Sequence, residues 1–219
     1  QKGFEHIRNK LLQLEEDGFR SEHMGHDLLV SAFHLGNWLL EIPPGIEFFT
    51  EQQLRRTKTD YYPAWVPKSA THRPDGYTRL TLGGQPATIA IEIELSHKSD
   101  AEYLRIAEHY YLFRTITRVF WLVPRKSTAH TLHSKMKAAT RRNPLPHNFV
   151  VFEEFQDHGW NSKILVGPDE GKTLSEFYSE VCQPPGRSPT DTSLTHFLLD
   201  LRKSPHVAMT YRGYELGDF

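Results

Sequence analysis

The residues best suited to chemistry lie in one stretch, TIAIEIELSHK, residues 88–98. Ile89, Ile91, Ile93 and Leu95 alternate with Ala90, Glu92 and Glu94, the period-two pattern of a strand with one wholly apolar face. Glu92 and Glu94 therefore share the other face. Neighbouring carboxylates repel and lose hydration, so they belong where water or a cation meets them. For an isolated Glu-x-Glu, the wet outer face of an edge strand is the simpler account, and a divalent cation is the chemical one. Upstream, Arg73-Pro74-Asp75-Gly76 turns into YTRLTLGG, a strand ending in a Gly-Gly turn, so a hairpin can return Asp75 to Glu92 and Glu94. Three carboxylates with Lys98 just past the strand end can bind Mg²⁺ or Mn²⁺ through hard oxygens and polarise a phosphodiester.

The flanking segments must hold that strand in place. Residues 4–16 space Phe4, Ile7, Leu11, Leu12 and Leu14 as a helix that Asp17-Gly18 ends; many winged helices, and many surface helices, close this way. Residues 26–42 have the widest helical apolar face, with Leu28, Leu29, Ala32, Phe33, Leu35, Leu39 and Leu40, and Pro43-Pro44-Gly45 stops it. His26 starts that helix; a histidine there is more often capped, packed or solvated than chemical, and the other reading is that it supports the site as a neighbour of the ligands rather than as one of them. Residues 46–49 read as a short strand. The polar run TEQQLRRTKTD follows, then a loop rich in proline and aromatics that reaches Asp75. Arg55, Arg56, Lys58 and Arg73 are candidate phosphate contacts, and Tyr61, Tyr62 and Trp65 either stack on bases or pack the loop.

Beyond the acidic strand, Ser99 with Glu102 forms a capping box for a helix over 99–113, whose inner face reads as Leu104, Ala107 and Tyr111, with Tyr103 beside them. Arg105 falls on another face and joins the candidate DNA contacts. Residues 118–125 read as a buried strand, 127–142 as a basic helix and 148–156 as a further strand. From Gly159 onward GPDEG and QPPGRSPTDTS punctuate an irregular extension with a linker, and 193–204 read as a terminal helix. This order implies an α/β protein with a mixed sheet covered on both faces.

The formal net charge is −1, which gives no global basic excess, but residues 98–142 hold ten basic against three acidic side chains, and 153–180 seven acidic against two basic. The single cysteine excludes an internal disulfide framework and any multi-cysteine zinc site. No run has the length of a membrane span and the first residues show no apolar signal region, so the expectation is a soluble, cytoplasmic protein without a membrane partner.

Helix, three strands, helix, strand, with Pro74-Asp75 opening the second strand and Glu92-Ile93-Glu94 in the third, resembles the PD-(D/E)XK nuclease superfamily over residues 26–124. Within it, LLQLEEDGF followed by HDLLVSAFHLG, RPDG and the acidic strand is similar to replication-relaxation proteins of plasmids and mobile elements. The resemblance implies a restriction-endonuclease-like core over 26–158, preceded by the end of a winged helix in 1–25 and followed by an extension over 159–219. It also implies a metal-dependent DNA endonuclease or nickase-like phosphodiesterase, with Asp75 and Glu92 as Mg²⁺ ligands and Glu94 as ligand or general base. The superfamily usually has Lys where this chain has Glu94; Lys98 can enter that role from the strand end or remain solvated. Expected partners are DNA and a second copy of the chain or other replication and mobilisation proteins. Two alternatives stand beside this reading: a catalytically inactive DNA-binding accessory protein, and an interaction module with no nucleic-acid role.

Overall fold

The computed structural model describes residues 24–38, 43, 45–82, 84–140 and 146–181. The expected winged-helix end and the terminal helix over 193–204 lie outside them. Five strands form one mixed sheet in sequence order: β1 (Glu47–Thr50), β2 (Gly76–Leu82), β3 (Gln85–Ile93), β4 (Ile116–Val123) and β5 (His147–Val151). The first three form an antiparallel meander, and β4 and β5 add in parallel. Parallel neighbours need a long crossover. Here α3 (Asp100–Leu112) and α4 (Lys126–Thr140) supply the two. The α/β class and mixed sheet are as expected.

The sheet separates two apolar clusters. On one face Ile89, Ile91, Ile93, Phe120 and Leu122 meet α1 (Met24–Leu35), α5 (Phe152–His158) and α6 (Leu174–Val181). On the other, Ala90, Val119, Trp121 and Tyr77 meet α3, α4, Leu54 of α2 (Glu51–Arg56) and Val66 of the segment that follows it. β3 is thus the middle strand, buried on both faces, and the wet edge strand is excluded as an account of Glu92 and Glu94. The expected hairpin forms, with Gly84 at φ 78° in the turn, a conformation that glycine adopts without strain.

Several boundaries differ from the sequence reading. The run FVVFEEF is not one strand: β5 stops at Val151 and α5 begins at Phe152. Phe152 and Phe155 are both buried at helical spacing, whereas a strand would turn them to opposite faces. The polar run after β1 contains α2, capped by a reciprocal Thr50–Gln53 box at 2.8 and 3.2 Å. The capping box at Ser99 is present as read, but the inner face of α3 is Tyr103, Ile106, Ala107 and Tyr110, while Leu104 and Tyr111 are exposed. Residues 159–181, set apart in the sequence reading as the start of an extension, supply Trp160, Ile164, Leu174, Phe177 and Tyr178 to the core. They also cover the outer edge of β5, where Phe149 N–H donates to Val166 O and Leu165 N–H to Phe149 O.

Candidate functional site

The β2–β3 register pairs Gly76 with Ile91, so one further step sets Asp75 across from Glu92. Asp75 closes this ladder with its side chain: Oδ2 accepts Ile93 N–H at 2.6 Å, where a strand residue would offer a carbonyl. Its own carbonyl accepts Glu51 N–H at 2.8 Å, tying the turn to the start of α2. Oδ1 stands 3.5 Å from His26 Nε2 on α1.

Glu92 lies on the Ala90 side of β3, 5% exposed. Its Oε1 accepts the hydroxyl of Tyr110 on α3 and stands 2.6 Å from His72 Nε2 in the loop before β2. Glu94, one residue past β3 and 1% exposed, is held by its N–H to Leu122 O at 2.9 Å. Oε2 accepts Lys98 Nζ, and Oε1 is buried with no hydrogen-bond partner. Lys98 is fixed from its C-terminal side. Its N–H donates to Tyr103 Oη at 3.1 Å, and the next residue, Ser99, caps α3.

These groups sense one another. Burial, then the charge of Glu92, pushes the Asp75 carboxyl up to about 7, against the pull of His26 and the Ile93 N–H. Burial raises Glu94 as well, with Lys98 opposing. For Lys98, burial disfavours the charge, but the bond to Glu94 and the charges of Glu94, Glu92 and Asp75 outweigh it and raise the pKa. His72 behaves likewise, with Glu92 and Asp75 outweighing its burial. His109 beside it is driven down to about 4 by burial and by the charge of His72. Three acids and a lysine thus occupy one end of the central strand.

Comparison with protein-family models, curated proteins and solved structures finds no match. The chemistry rests on this geometry alone. Among the described residues, no group of three or more His, Cys, Asp or Glu side chains forms a ready cage for a metal ion. Mg²⁺ does not require one, since it usually keeps several waters and takes one or two carboxylates together with substrate phosphates. The donor set fits such an ion: the carboxylates are hard ligands, and the unpartnered Oε1 of Glu94 is a buried acceptor in need of a cation or a proton.

The expected DNA contacts are carried by α2, by the segments that flank the aromatic loop and by α3. Arg55 is exposed on α2 and faces Glu51 at 3.8 Å, and Lys58 and Arg73 are exposed in the segments on either side of the aromatic loop. Arg56 is half-buried, and Arg105 projects from the outer side of α3 near Glu102. Of the loop aromatics, Trp65 packs on Phe49 and donates to Glu47, while Tyr61 is 60% exposed. Tyr110 and His72 were missed by sequence reasoning. Tyr110 belongs to the i, i+3, i+4, i+7 set of Tyr103, Ile106 and Ala107, so the correct phase of α3 would have pointed it at the sheet. His72 has no local signal beyond standing three residues before Asp75.

Proposed function

We propose that this chain is a divalent-metal-dependent phosphodiesterase acting on DNA, an endonuclease or nickase. One observation supports this most: Asp75, Glu92, Glu94 and Lys98 meet at the end of a central strand, with a buried carboxylate oxygen left without a partner. The resemblance of the element order to PD-(D/E)XK nucleases supports the same reading. When bound, Mg²⁺ or Mn²⁺ supplies Lewis acidity toward the phosphodiester and lowers the pKa of a coordinated water.

The chain's own residues do the positioning. Asp75 and Glu92 are the ligands, each with one oxygen tied to the protein, through Ile93 N–H in the first case and Tyr110 in the second. Lys98 Nζ, steadied on Glu94, sets a positive charge against oxygens that gain negative charge as the bond breaks. Glu94 either completes the ligand set or takes the proton of the attacking water at Oε1. Arg55, Arg56, Lys58, Arg73 and Arg105 neutralise backbone phosphates, a contribution that weakens as salt rises. The reading places the protein in the cytoplasm, on plasmid or mobile-element DNA, either as a homodimer or with replication and mobilisation proteins.

A second reading, the accessory protein that binds DNA without cutting it, is favoured by the in-chain partners each carboxylate already has and by the lack of a ready three-ligand cage among the described residues. The deciding experiment offers supercoiled, linear and single-stranded DNA to the purified chain with Mg²⁺, Mn²⁺ or EDTA. Cleavage that needs the metal supports the nuclease. Salt-sensitive binding without cleavage supports the accessory protein, and absence of both returns the interaction module.

A further inference from the structure

A single oxygen of Glu92 receives contacts from two elements distant in the chain. Tyr110, on α3, donates its hydroxyl to Oε1, and His72 Nε2, in the loop before β2, stands 2.6 Å from the same atom. Satisfying a buried phenol would need only the first contact. Two contacts on one oxygen do more: they stop the carboxylate from turning about its last torsion, which is otherwise broad. With Oε1 taken by these two groups, Oε2 is the oxygen left for a ligand. We propose that Tyr110 and His72 are positioning residues that present Glu92 to a divalent cation through one oxygen only, an inference that rests on the metal-dependent reading above.

The consequence is a choice among cations. Mg²⁺ demands near-ideal octahedral geometry, which single-oxygen carboxylates and waters supply, whereas Ca²⁺ accepts both oxygens of one carboxylate in a looser shell. A clamped Glu92 favours Mg²⁺ or Mn²⁺; a freely turning one admits Ca²⁺. Groups that hydrogen-bond a metal's ligands are commonly worth ten- to a hundredfold in affinity. Tyr110 suits this work because its ring is itself packed, with the His109 and His147 rings 5.0 and 5.2 Å away.

The test is calorimetry of the full chain with Mn²⁺ and with Ca²⁺, without DNA, on the parent, Tyr110→Phe, His72→Gln, His72→Ala and, as the ligand control, Glu92→Gln. The expected result is Mn²⁺ binding weakened about tenfold or more in Tyr110→Phe with Ca²⁺ affinity unchanged or raised. His72→Gln, whose amide nitrogen can stand where Nε2 stood, should keep the parent's Mn²⁺ affinity while His72→Ala loses it. Should Tyr110→Phe fail to fold by circular dichroism, the His72 pair decides alone. Mn²⁺ binding equal to the parent's in Tyr110→Phe and His72→Ala, with Glu92→Gln impaired, overturns the positioning role and leaves the metal-dependent reading standing. A parent that binds no Mn²⁺ overturns both.

Discussion

Two buried carboxylate sites among the described residues are built on opposite terms. Asp169, in the segment covering β5, accepts Arg118 Nε at 2.6 Å and Asn148 Nδ2 at 2.8 Å, and its N–H donates to Asn148 Oδ1 at 3.1 Å. Gly167 fits this knot closely: a Cβ there would stand 2.4 Å from Asn148 Oδ1. The acid is matched by a guanidinium and an amide, so it ties a covering segment to β4 and β5. At the end of β3, by contrast, three acids are gathered around one lysine, burial raises the pKa of two of them, and an oxygen of Glu94 is left bare. Crowding like charges costs stability, and the proposed cation site would offset that cost.

The difference can be broken from either side. Lys98→Met removes the lysine that faces the acids, and metal-dependent cleavage should fall on the order of a hundredfold, measured as nicking of supercoiled DNA. Asp169→Ala should leave nicking per folded molecule unchanged but strand Arg118, at a cost of about 2–3 kcal/mol in denaturant unfolding. Asp75→Asn should do the reverse. In EDTA at pH 8 it should raise stability by about 1–2 kcal/mol, because it removes a buried charge beside Glu92.

The sign of that last effect fixes its pH window. With a folded-state pKa of about 7, above that of the unfolded chain, Asp75 binds its proton more tightly in the native state. Its ionisation therefore subtracts stability as pH rises from near 4 through 7. The gain from Asp75→Asn should vanish toward about pH 4 and reach a plateau above about pH 7. Urea unfolding at about pH 4.5 and about pH 8 would show it, and a gain that is larger at the lower pH would contradict the assignment.

Much of this arrangement was legible in the sequence because it is local. The alternation in residues 88–98, the hairpin that returns Asp75 and the Ser99–Glu102 box all depend on neighbours within a turn or a strand. What was not legible depends on distant packing. The apolar pattern could not reveal that β3 is covered on both faces, nor that FVVFEEF changes period at Phe152. Misreading the phase of α3 hid Tyr110. Pairing between distant residues was equally hidden in the charge runs: Arg118 meets Asp169, Lys135 meets Asp100 and Lys172 meets Glu180.

The most direct test of the claim that the β3 end is a working site compares the parent with Glu92→Gln, scored for Mg²⁺-dependent nicking, for DNA affinity and for unfolding in EDTA. A neutral amide is a poor ligand for Mg²⁺, so nicking should drop at least about a hundredfold while DNA affinity holds and metal-free stability stays level or rises. A parent that nicks nothing with Mg²⁺ or Mn²⁺, or a Glu92→Gln protein that nicks at the parent's rate, would contradict it.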